Sequence, residues 1–408
     1  MAKIKPFFGL RPEVQLVEKV AELPYDVVSS QEAKDIAKGN KYSFFHISKP
    51  EIDLDPDINP YDESVYEKGR STLLNFIESG ILTRDTKESL YLYTQIMGGR
   101  SQTGLVTCCS IDDYLANSIK KHELTREDKE NDRTRHLEIL GANTGPVFLM
   151  FKDDGSKTGL FEKAMSISPV YDFTSSDGIR HILRIIDDTK MIESFIAAFR
   201  RDDLYIADGH HRAASAIRVG VKKRQLHPDY KGNEEFNWFL SVIFPHSQLK
   251  IMPYNRVIKD LNGLSDNEFL NELSKEFSID NNGVKVPIEV NSFSLYLNRS
   301  WYTIRPKFQL STDPIESLDV SILQRHVLSR ILGIQDPRKD KRIDFIGGIR
   351  GTDELEKLVT SREYALAFSM FPTTLEQLIN VSDNNAIMPP KSTWFEPKLR
   401  SGLILHLL

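Results

Sequence analysis

The sequence places one carboxylate, two imidazoles and one guanidinium within a single predicted turn. An apolar run over residues 204–207 meets Asp208, Gly209, His210, His211 and Arg212, and an alanine-rich helical pattern follows. This order predicts a strand that leads through a glycine turn into a helix. Free backbone N–H groups and the helix dipole favour an anion at the start of this helix. An arginine side chain can donate two hydrogen bonds to two oxygens of one phosphate or carboxylate group. We therefore expect phosphate binding, the alternative being an ordinary helix start that Asp208 caps beside solvated histidines.

A second charged cluster begins after residue 118. It contains Lys120, Lys121, His122, Glu123 and Arg126. In a functional interpretation Glu123 is a general base and the cations attract an anionic substrate. The alternative is a charged helix that faces solvent. A zinc-binding helix is excluded, because the residue four positions after His122 is Arg126 and not a second histidine.

A third polar segment lies near the C-terminal end. Pro389 and Pro390 precede Lys391, Ser392 and Thr393. The prolines favour an extended backbone, so the three polar side chains can bracket a phosphate. The alternative is a structural segment that packs the aromatic residues that follow it.

Size and composition limit the classes of protein that need to be considered. The 408 residues predict two or three domains, and 40% hydrophobic with 27% charged residues is ordinary globular composition. The net charge of -5 argues against broad adhesion to nucleic acid or to an anionic membrane. The apolar runs are too short to cross a bilayer, and we expect a cytoplasmic location. Cys108 and Cys109 are adjacent, so we expect buried hydrophobic side chains and not a disulfide framework.

Apolar periodicity predicts both helices and strands along the chain. The expected helices cover residues 13–23, 31–38, 66–80, 191–200, 266–277 and 323–332. The expected strands cover residues 90–97 and 104–110, joined as a hairpin, and residues 145–151, 179–186, 204–207, 238–244, 292–297 and 302–304. We therefore expect an α+β protein with an N-terminal α+β lobe (1–102), a core (103–260) and a C-terminal α+β lobe (261–408).

Three motifs carry a resemblance to known families. Residues 208–212 and the two alanines that follow resemble the signature of the ParB and sulfiredoxin-like superfamily, in the form carried by free serine kinases. Residues 121–123 resemble the segment that holds the catalytic glutamate of the archaeal ADP-dependent free serine kinase, and residues 390–393 resemble its C-terminal Pro-Lys-Thr-Thr. Over nearly its whole length the chain is similar to a bacterial family known as domain of unknown function 1015, in residues 6–12, 24–28, 119–123, 208–212 and 388–399.

The resemblance implies a ParB/sulfiredoxin-like nucleotide-binding core, completed by the C-terminal lobe. It implies transfer of a phosphoryl group from ATP or ADP to a free hydroxyl amino acid, L-serine giving O-phosphoserine. Glu123 would take the hydroxyl proton, and Asp208 would orient that hydroxyl or bind Mg²⁺. Lys121 and His122 would contact the substrate. The residues implied to bind the nucleotide phosphates are Gly209, His210, His211, Arg212, Lys391, Ser392 and Thr393.

The chain departs from the archaeal kinase in two respects. Its first hundred residues have no counterpart there, and Glu123 is much further from Asp208 in sequence. An insertion between residue 126 and about residue 195 would account for that separation. Glu123 can act as the base only where it lies within hydrogen-bond reach of the hydroxyl group.

Three other functions are compatible with parts of this pattern. A ParB-like regulatory or DNA-associated protein needs a basic helix-turn-helix, which the sequence lacks, so binding of nucleic acid is not expected. Sulfiredoxin-like transfer needs a cysteine where His210 stands. A nucleotide-binding scaffold without catalysis stays open. The identity of the phosphate donor, the oligomeric state and the roles of Asp26 and His46 also stay open. Arg11 and Asp26 are candidates for binding the two charged ends of an amino acid. The structural alternatives are a turn at Asp26 and a core-edge imidazole at His46.

Overall fold

The computed structural model describes residues 2–408, which form two compact units of mixed α/β structure. The first unit comprises the described residues up to Leu249 together with Pro397–Leu408, and the second comprises Lys250–Glu396. The expected α+β class is confirmed. The boundary expected at residue 102 falls inside a strand, Arg100–Ser110, which forms a hairpin with the preceding strand.

Strands and helices are numbered along residues 2–408. The strands are β1 (Ile4–Lys5), β2 (Leu10–Pro12), β3 (Leu82–Arg84), β4 (Leu90–Met97), β5 (Arg100–Ser110), β6 (Ile119–Lys120), β7 (Ala142–Asn143), β8 (Val147–Phe151), β9 (Tyr171–Thr174), β10 (Arg180–Ile186), β11 (Leu204–Asp208), β12 (Trp238–Pro245), β13 (Ile251–Met252), β14 (Tyr254–Ile258), β15 (Phe277–Asp280), β16 (Phe293–Leu297), β17 (Ser300–Pro306), β18 (Ile343–Gly347), β19 (Leu366–Met370), β20 (Trp394–Phe395) and β21 (His406–Leu407). The helices are α1 (Val17–Val20), α2 (Ser30–Ala37), α3 (Phe45–Ser48), α4 (Glu63–Glu78), α5 (Ile111–Leu115), α6 (Glu127–Leu140), α7 (Thr158–Met165), α8 (Thr189–Phe199), α9 (His210–Leu226), α10 (Asp266–Ser274), α11 (Asp319–Leu323), α12 (Gly351–Thr360) and α13 (Leu375–Asp383).

A large mixed sheet organises the first unit. Its strand order is β6-β11-β8-β12-β5-β4-β10-β9, and β1 pairs with β5. The hairpin of β4 and β5 turns at Gly98 and Gly99, both of which have positive φ angles. Such angles suit glycine and match the twist of a two-stranded hairpin. The hairpin predicted from the sequence is therefore confirmed.

Helices cover this sheet through buried apolar faces. Phe199 on α8 meets Phe151 on β8 edge to face, with ring centroids 5.2 Å apart, and both rings are fully buried. Helix α9 contributes Ala213, Ala216 and Ile217 to the same core. Small alanine side chains on that face allow the helix to lie close to the strands. The sheet thereby fixes where α9 begins.

The second unit is built on its own antiparallel sheet. The strand order is β15-β17-β16-β19-β14-β18. Helix α12 packs on it, and Leu355 and Val359 join Val257 and Ala367 in one buried cluster.

Most predicted elements are confirmed within a few residues, and two helices are wrong in extent. The helix expected over residues 13–23 is a short 3-10 turn, Val14–Leu16, followed by α1, which ends at Val20. Ala21 is extended, and Glu22 forms a β-bridge with Ser401, so tertiary pairing ends the helix before Pro24. In the region 323–332, α11 ends at Leu323 and passes into a π-helix, Gln324–Ser329.

Cys108 and Cys109 are fully buried and unbonded to one another, as expected for small hydrophobic side chains. Burial raises the pKa of the Cys109 thiol to about 12. Within residues 2–408, no helix has the length and apolar character needed to cross a membrane.

The contact of Phe199 with Phe151 predicts the effect of one substitution on the free energy of unfolding. Phe199→Ala removes a fully buried ring and leaves a cavity, so we expect the free energy of unfolding of the first unit to fall by about 3–5 kcal/mol. Leu226→Ala, at a side chain that is 65% exposed, is the control and should change it by less than about 0.5 kcal/mol. Urea unfolding followed by circular dichroism measures both; equal effects of the two substitutions would contradict the packing described for α8.

Candidate functional site

Two parallel strands bring the first two charged clusters together. Strand β6 pairs with β11 in parallel, with Ile119 opposite Leu204 and Lys120 opposite Tyr205. Parallel neighbours end at the same edge of a sheet. The segment after Lys120 and the turn after Asp208 therefore leave the sheet side by side. Only residues 119–120 of the first of these segments form a strand, and the helix that follows begins at Glu127.

The turn after β11 has the glycine conformation that the sequence predicts. Gly209 has a φ of +91° and immediately precedes α9, which starts at His210. A Cβ atom at Gly209 would lie 3.1 Å from Nε of Arg212, so a side chain there would be both strained and crowded. The unpaired N–H groups of the first turn of α9 therefore stand beside His210, His211 and Arg212.

Glu123 lies beside the first residue of this helix. Its Oε2 atom is 3.8 Å from Nδ1 of His210, and the His122 ring meets the His210 ring edge to face at 4.5 Å between centroids. His122 and His210 are 1% and 5% exposed, whereas the Glu123 side chain is 39% exposed. A carboxylate that is reachable from solvent thus stands next to two buried imidazoles at the start of a helix.

Both imidazoles are neutral at pH 7. Burial lowers the pKa of His122 to about 4, against the opposing effects of Asp208 and of a hydrogen bond to the backbone of Ile206. Burial also lowers the pKa of His210 well below its usual value, and the neighbouring His122 acts in the same direction. Each neutral ring offers one N–H donor and one acceptor nitrogen. The pair therefore contributes hydrogen bonds to the site and no charge.

Asp208 is ionised and forms an ion pair with Lys398, which lies in the segment Pro397–Leu408 of the same unit. Its Oδ2 accepts a hydrogen bond from Nζ of Lys398 at 3.0 Å, and its Oδ1 accepts one from the backbone N–H of Gly209 at 2.8 Å. Burial alone would raise the pKa of Asp208. The charges of Lys398 and Arg212 outweigh burial and hold that pKa well below its usual range.

These contacts bear on where a metal ion can bind. Mg²⁺ prefers oxygen ligands and keeps several waters. The ammonium group of Lys398 lies against the Asp208 carboxylate and would repel a cation there, so this carboxylate fits Mg²⁺ poorly. His122, Glu123 and His210 each offer one ligand atom, all within 4.8 Å of one another. Two nitrogens and one oxygen suit Zn²⁺, Mn²⁺ or Fe²⁺ better than Mg²⁺.

His211 and Arg212 are oriented by backbone groups. Nε2 of His211 accepts a hydrogen bond from the backbone N–H of Arg126 at 3.1 Å, and burial lowers the pKa of His211. Nη1 of Arg212 donates to the carbonyl oxygen of Pro146. Arg212 also lines a cavity of the first unit, whose other lining residues are Tyr25, Ser48, Arg133, His136, Leu137, Ala142, Asn143, Thr144, Gly145, Ser215 and Ser401.

The third predicted segment lies in the second unit. Ser392 is buried, its hydroxyl donates to the carbonyl oxygen of Pro389, and its own carbonyl oxygen accepts from Oγ1 of Thr373. Nζ of Lys391 lies 5.4 Å from the ring centre of Tyr254. Lys391, Ser392 and Thr393 therefore belong to a different unit from Glu123, and their role at the phosphates stays a prediction.

The remaining candidates have identifiable neighbours within the first unit. Nζ of Lys121 lies 4.4 Å from the ring centre of Tyr114. Arg11 binds Asp85 through Nε and Nη2. His46 contacts Asp53 through Nδ1, which fits the structural alternative for that imidazole. Asp26 is exposed and acts electrostatically on His211.

The sequence did not single out Lys398, which contacts Asp208, or Tyr25 and Arg133, which line the cavity beside Arg212. Lys398 follows the polar segment 391–393 within a region of family resemblance, and Tyr25 lies in the resembling segment 24–28. The family resemblance therefore marked the positions of Lys398 and Tyr25, although neither their residue types nor their spacing assigned them a role. No sequence feature marked Arg133, because it is one of several charged residues on the same helix.

Comparison with known proteins gives distant structural likenesses. No curated protein matches the sequence. A free serine kinase in complex with AMP aligns with 14% identity and a TM-score of 0.37, over 72% of this chain and 86% of that chain. A conserved hypothetical protein from Pyrococcus furiosus aligns with 15% identity and a TM-score of 0.36, over 73% and 93%. SbnI with a C-terminal truncation, from Staphylococcus aureus, aligns with 11% identity and a TM-score of 0.37, over 71% and 82%.

TM-scores and identities this low establish neither a shared fold nor a shared activity. The family comparison is different in kind, because it covers most of the sequence. Residues 4–321 match a family whose description is Protein of unknown function (DUF1015). The chain belongs to this family.

Proposed function

We propose that the protein is a small-molecule kinase. It transfers a phosphoryl group from ATP or ADP to the hydroxyl of a free amino acid, L-serine giving O-phosphoserine. The observation that carries the proposal is the distance of 3.8 Å between Oε2 of Glu123 and Nδ1 of His210 at the first residue of α9. A general base and a cradle for phosphate oxygens are thereby adjacent, which is the arrangement that phosphoryl transfer to an alcohol requires. We further propose that β6, β11 and α9 belong to a ParB/sulfiredoxin-like core.

In the proposed reaction the serine hydroxyl oxygen attacks the terminal phosphorus of the nucleotide. A bond forms between that oxygen and phosphorus, the bond from phosphorus to the bridging oxygen breaks, and the nucleotide leaves with one phosphate fewer. Glu123 accepts the hydroxyl proton. The exposure of its side chain supports this role, because a small alcohol can reach the carboxylate from solvent.

The phosphate oxygens are held by the turn that starts α9. The backbone N–H groups after Gly209, the neutral imidazoles of His210 and His211, and the guanidinium of Arg212 supply the donors. A role of Lys391, Ser392 and Thr393 in binding phosphate stays a prediction from the family resemblance. Lys121 supplies a cation beside the substrate, and His122 acts through the imidazole pair, since its ring is almost fully buried.

Asp208 is proposed to orient the reacting groups through its neighbours. Lys398 and Gly209 fix its carboxylate, and the fixed negative charge orients the turn that follows. No step is assigned to a metal ion at Asp208. Mg²⁺ enters the proposal as the companion of the nucleotide, where it neutralises phosphate charge.

A ParB-like nucleotide-binding protein without kinase activity is the alternative. It predicts nucleotide binding with no phosphorylated product, and a salt-dependent interaction with DNA. The kinase proposal predicts a product from Mg²⁺, a nucleotide and a hydroxyl amino acid. Assays with ATP and ADP in separate arms, with serine, threonine and homoserine as acceptors and mass spectrometry as the readout, distinguish the two; no product in any arm would overturn the kinase proposal.

Glu123→Gln tests the base. Removal of the carboxylate should lower kcat by about 10²–10⁴-fold, because the side chain no longer accepts the proton, and should leave the nucleotide Kd nearly unchanged. The rate is measured as O-phosphoserine formed, and the Kd by calorimetry. Glu127→Gln, at an exposed glutamate at the start of α6, is the control and should keep normal turnover. Normal turnover in Glu123→Gln would remove the assignment of Glu123.

Arg212→Ala tests the phosphate contact. Loss of a charged donor should raise the nucleotide Kd by about 10- to 100-fold. Arg218→Ala, on the same helix at a side chain that is 45% exposed and paired with Glu130, is the control and should bind as the wild type does. Calorimetry with ADP and AMP gives the affinities, and thermal unfolding verifies that both variants fold. An unchanged Kd in folded Arg212→Ala would refute the contact.

The low pKa of His122 predicts how the stability of the protein and the ring signals of this histidine depend on pH. The folded pKa of His122, about 4, lies below the value of about 6.5 expected in the unfolded chain. The unfolded chain therefore takes up this proton first, so the contribution of His122 to stability is complete above about pH 6.5 and is lost as the pH falls toward 4. In ¹H–¹⁵N spectra the His122 ring signals, assigned by their loss in His122→Gln, should stay constant from pH 8 to pH 5.5. Titration of those signals near pH 6.5 would show that the ring is not buried as described.

A further inference from the structure

The cavity lined by Tyr25, Arg133 and Arg212 combines two guanidinium groups with no acidic side chain in its lining within residues 2–408. The third basic lining residue, His136, is neutral at pH 7, since burial lowers its pKa to about 3 and Arg133 acts in the same direction. Its Nε2 atom donates to the carbonyl oxygen of Ile47. The charge of the lining is therefore positive, and it comes from Arg133 and Arg212.

Arg133 is held in place on two sides. Its Nε and Nη2 atoms bind Oδ2 of Asp132, each at 2.8 Å, and its guanidinium carbon lies 4.0 Å from the ring centre of Tyr25. Burial would lower the pKa of Arg133, but Tyr25 and Asp132 outweigh it and raise that pKa, so the side chain stays a cation. These contacts leave Nη1 as the donor for a ligand. The Asp132 carboxylate also accepts a hydrogen bond from the hydroxyl of Tyr66, so Arg133 is not its only donor.

Two buried polar atoms of the lining have no hydrogen-bond partner within residues 2–408. They are Nε of Arg212 and Oγ of Ser48, and Ser48 is 3% exposed. Buried polar atoms without partners are unfavourable and rare in folded proteins, so each of them indicates a ligand or a solvent site. A guanidinium donor and a hydroxyl together match the oxygens of an anion.

The cavity wall also leaves space beside Arg212. A Cβ atom at Gly145 would lie 3.0 Å from Oγ of Ser401 and 3.7 Å from Nη1 of Arg212. The absence of a side chain at this position therefore keeps the wall open next to a donor group. Thr144 and Ser401 add further polar lining at the same place.

We propose that this cavity is a binding pocket for a small oxyanion, either a carboxylate or a phosphate group, held between Arg133 and Arg212. Ser48 provides a hydroxyl donor and Tyr25 covers the Arg133 guanidinium. The pocket goes beyond the proposed kinase function, because Tyr25, Ser48 and Arg133 have no part in the transfer and binding requires no turnover. Arg212 is shared between this pocket and the start of α9.

Calorimetry without nucleotide tests the pocket on the full chain. The probes are inorganic phosphate, L-serine, and serinol, which resembles serine but has no carboxylate. Binding of phosphate indicates a phosphate group, whereas binding of serine without serinol indicates a carboxylate. Either result supports the pocket when the binding depends on Arg133 and Ser48, since the start of α9 is itself proposed to bind phosphate. Binding of none of the probes, or equal binding of serine and serinol with none of phosphate, overturns it.

Variants locate the binding. Arg133→Met should weaken binding of the active probe by at least about tenfold, and Ser48→Ala by about 3- to 10-fold. Arg135→Met is the control, because Arg135 lies on the same helix, is 44% exposed and pairs with Glu63 outside the cavity. If Arg133→Met fails to fold, Arg133→Lys and Ser48→Ala decide the outcome. Wild-type affinity in the folded pocket variants, or an equal loss in Arg135→Met, contradicts the proposal.

The outcome is independent of the kinase assay. Probe binding that needs Arg133 in a chain that forms no phosphorylated product would support the pocket and overturn the kinase proposal. A phosphorylated product, together with probe affinities that are the same in the wild type and in Arg133→Met, would support the kinase proposal and overturn the pocket.

Discussion

The parallel pairing of β6 with β11 is the interaction on which the candidate site depends. It joins two short strands, and Ile119 and Leu204, which lie opposite one another, are both fully buried. A slip of two residues along β11 would move the start of the following segment by about 6–7 Å. That shift exceeds the present distance between Glu123 and His210. Burial of Ile119 therefore sets the position of a carboxylate four residues further along the chain.

Electrostatics explains how so many polar groups share this edge. Two protonated imidazoles with ring centres 4.5 Å apart would repel each other in a buried place, and the low pKa values of His122 and His210 avoid that repulsion. Asp208 keeps its charge because Lys398 and Arg212 balance it. Formal charge within the cluster is thus confined to side chains that either pair with one another or face solvent. Lys398 is therefore the counter-cation of Asp208, for which the family resemblance implied either contact with the hydroxyl group or binding of Mg²⁺.

Local patterns were sufficient to predict part of this arrangement. The strand, glycine turn and helix over residues 204–226 follow from an apolar run, one glycine and an alanine pattern, and the hairpin at Gly98 and Gly99 follows from turn chemistry. The α+β class and the family follow from the whole sequence. Non-local pairing was not predictable in this way. The helix expected over residues 13–23 ends early because Glu22 pairs with Ser401, and the contact of Lys398 with Asp208 joins residues at distant points of the chain.

The long segment between Glu123 and Asp208 illustrates why sequence distance is a poor guide to the site. Part of this segment forms β9 and β10, which extend the large sheet at the edge opposite to β6 and β11. Another part forms β8, which pairs directly with β11. The segment therefore forms strands at the far edge of the sheet and also a strand that pairs with the site strand. Since the entropy of closing a loop grows only slowly with its length, a long segment that folds into the sheet is compatible with close approach of the carboxylate to the imidazole.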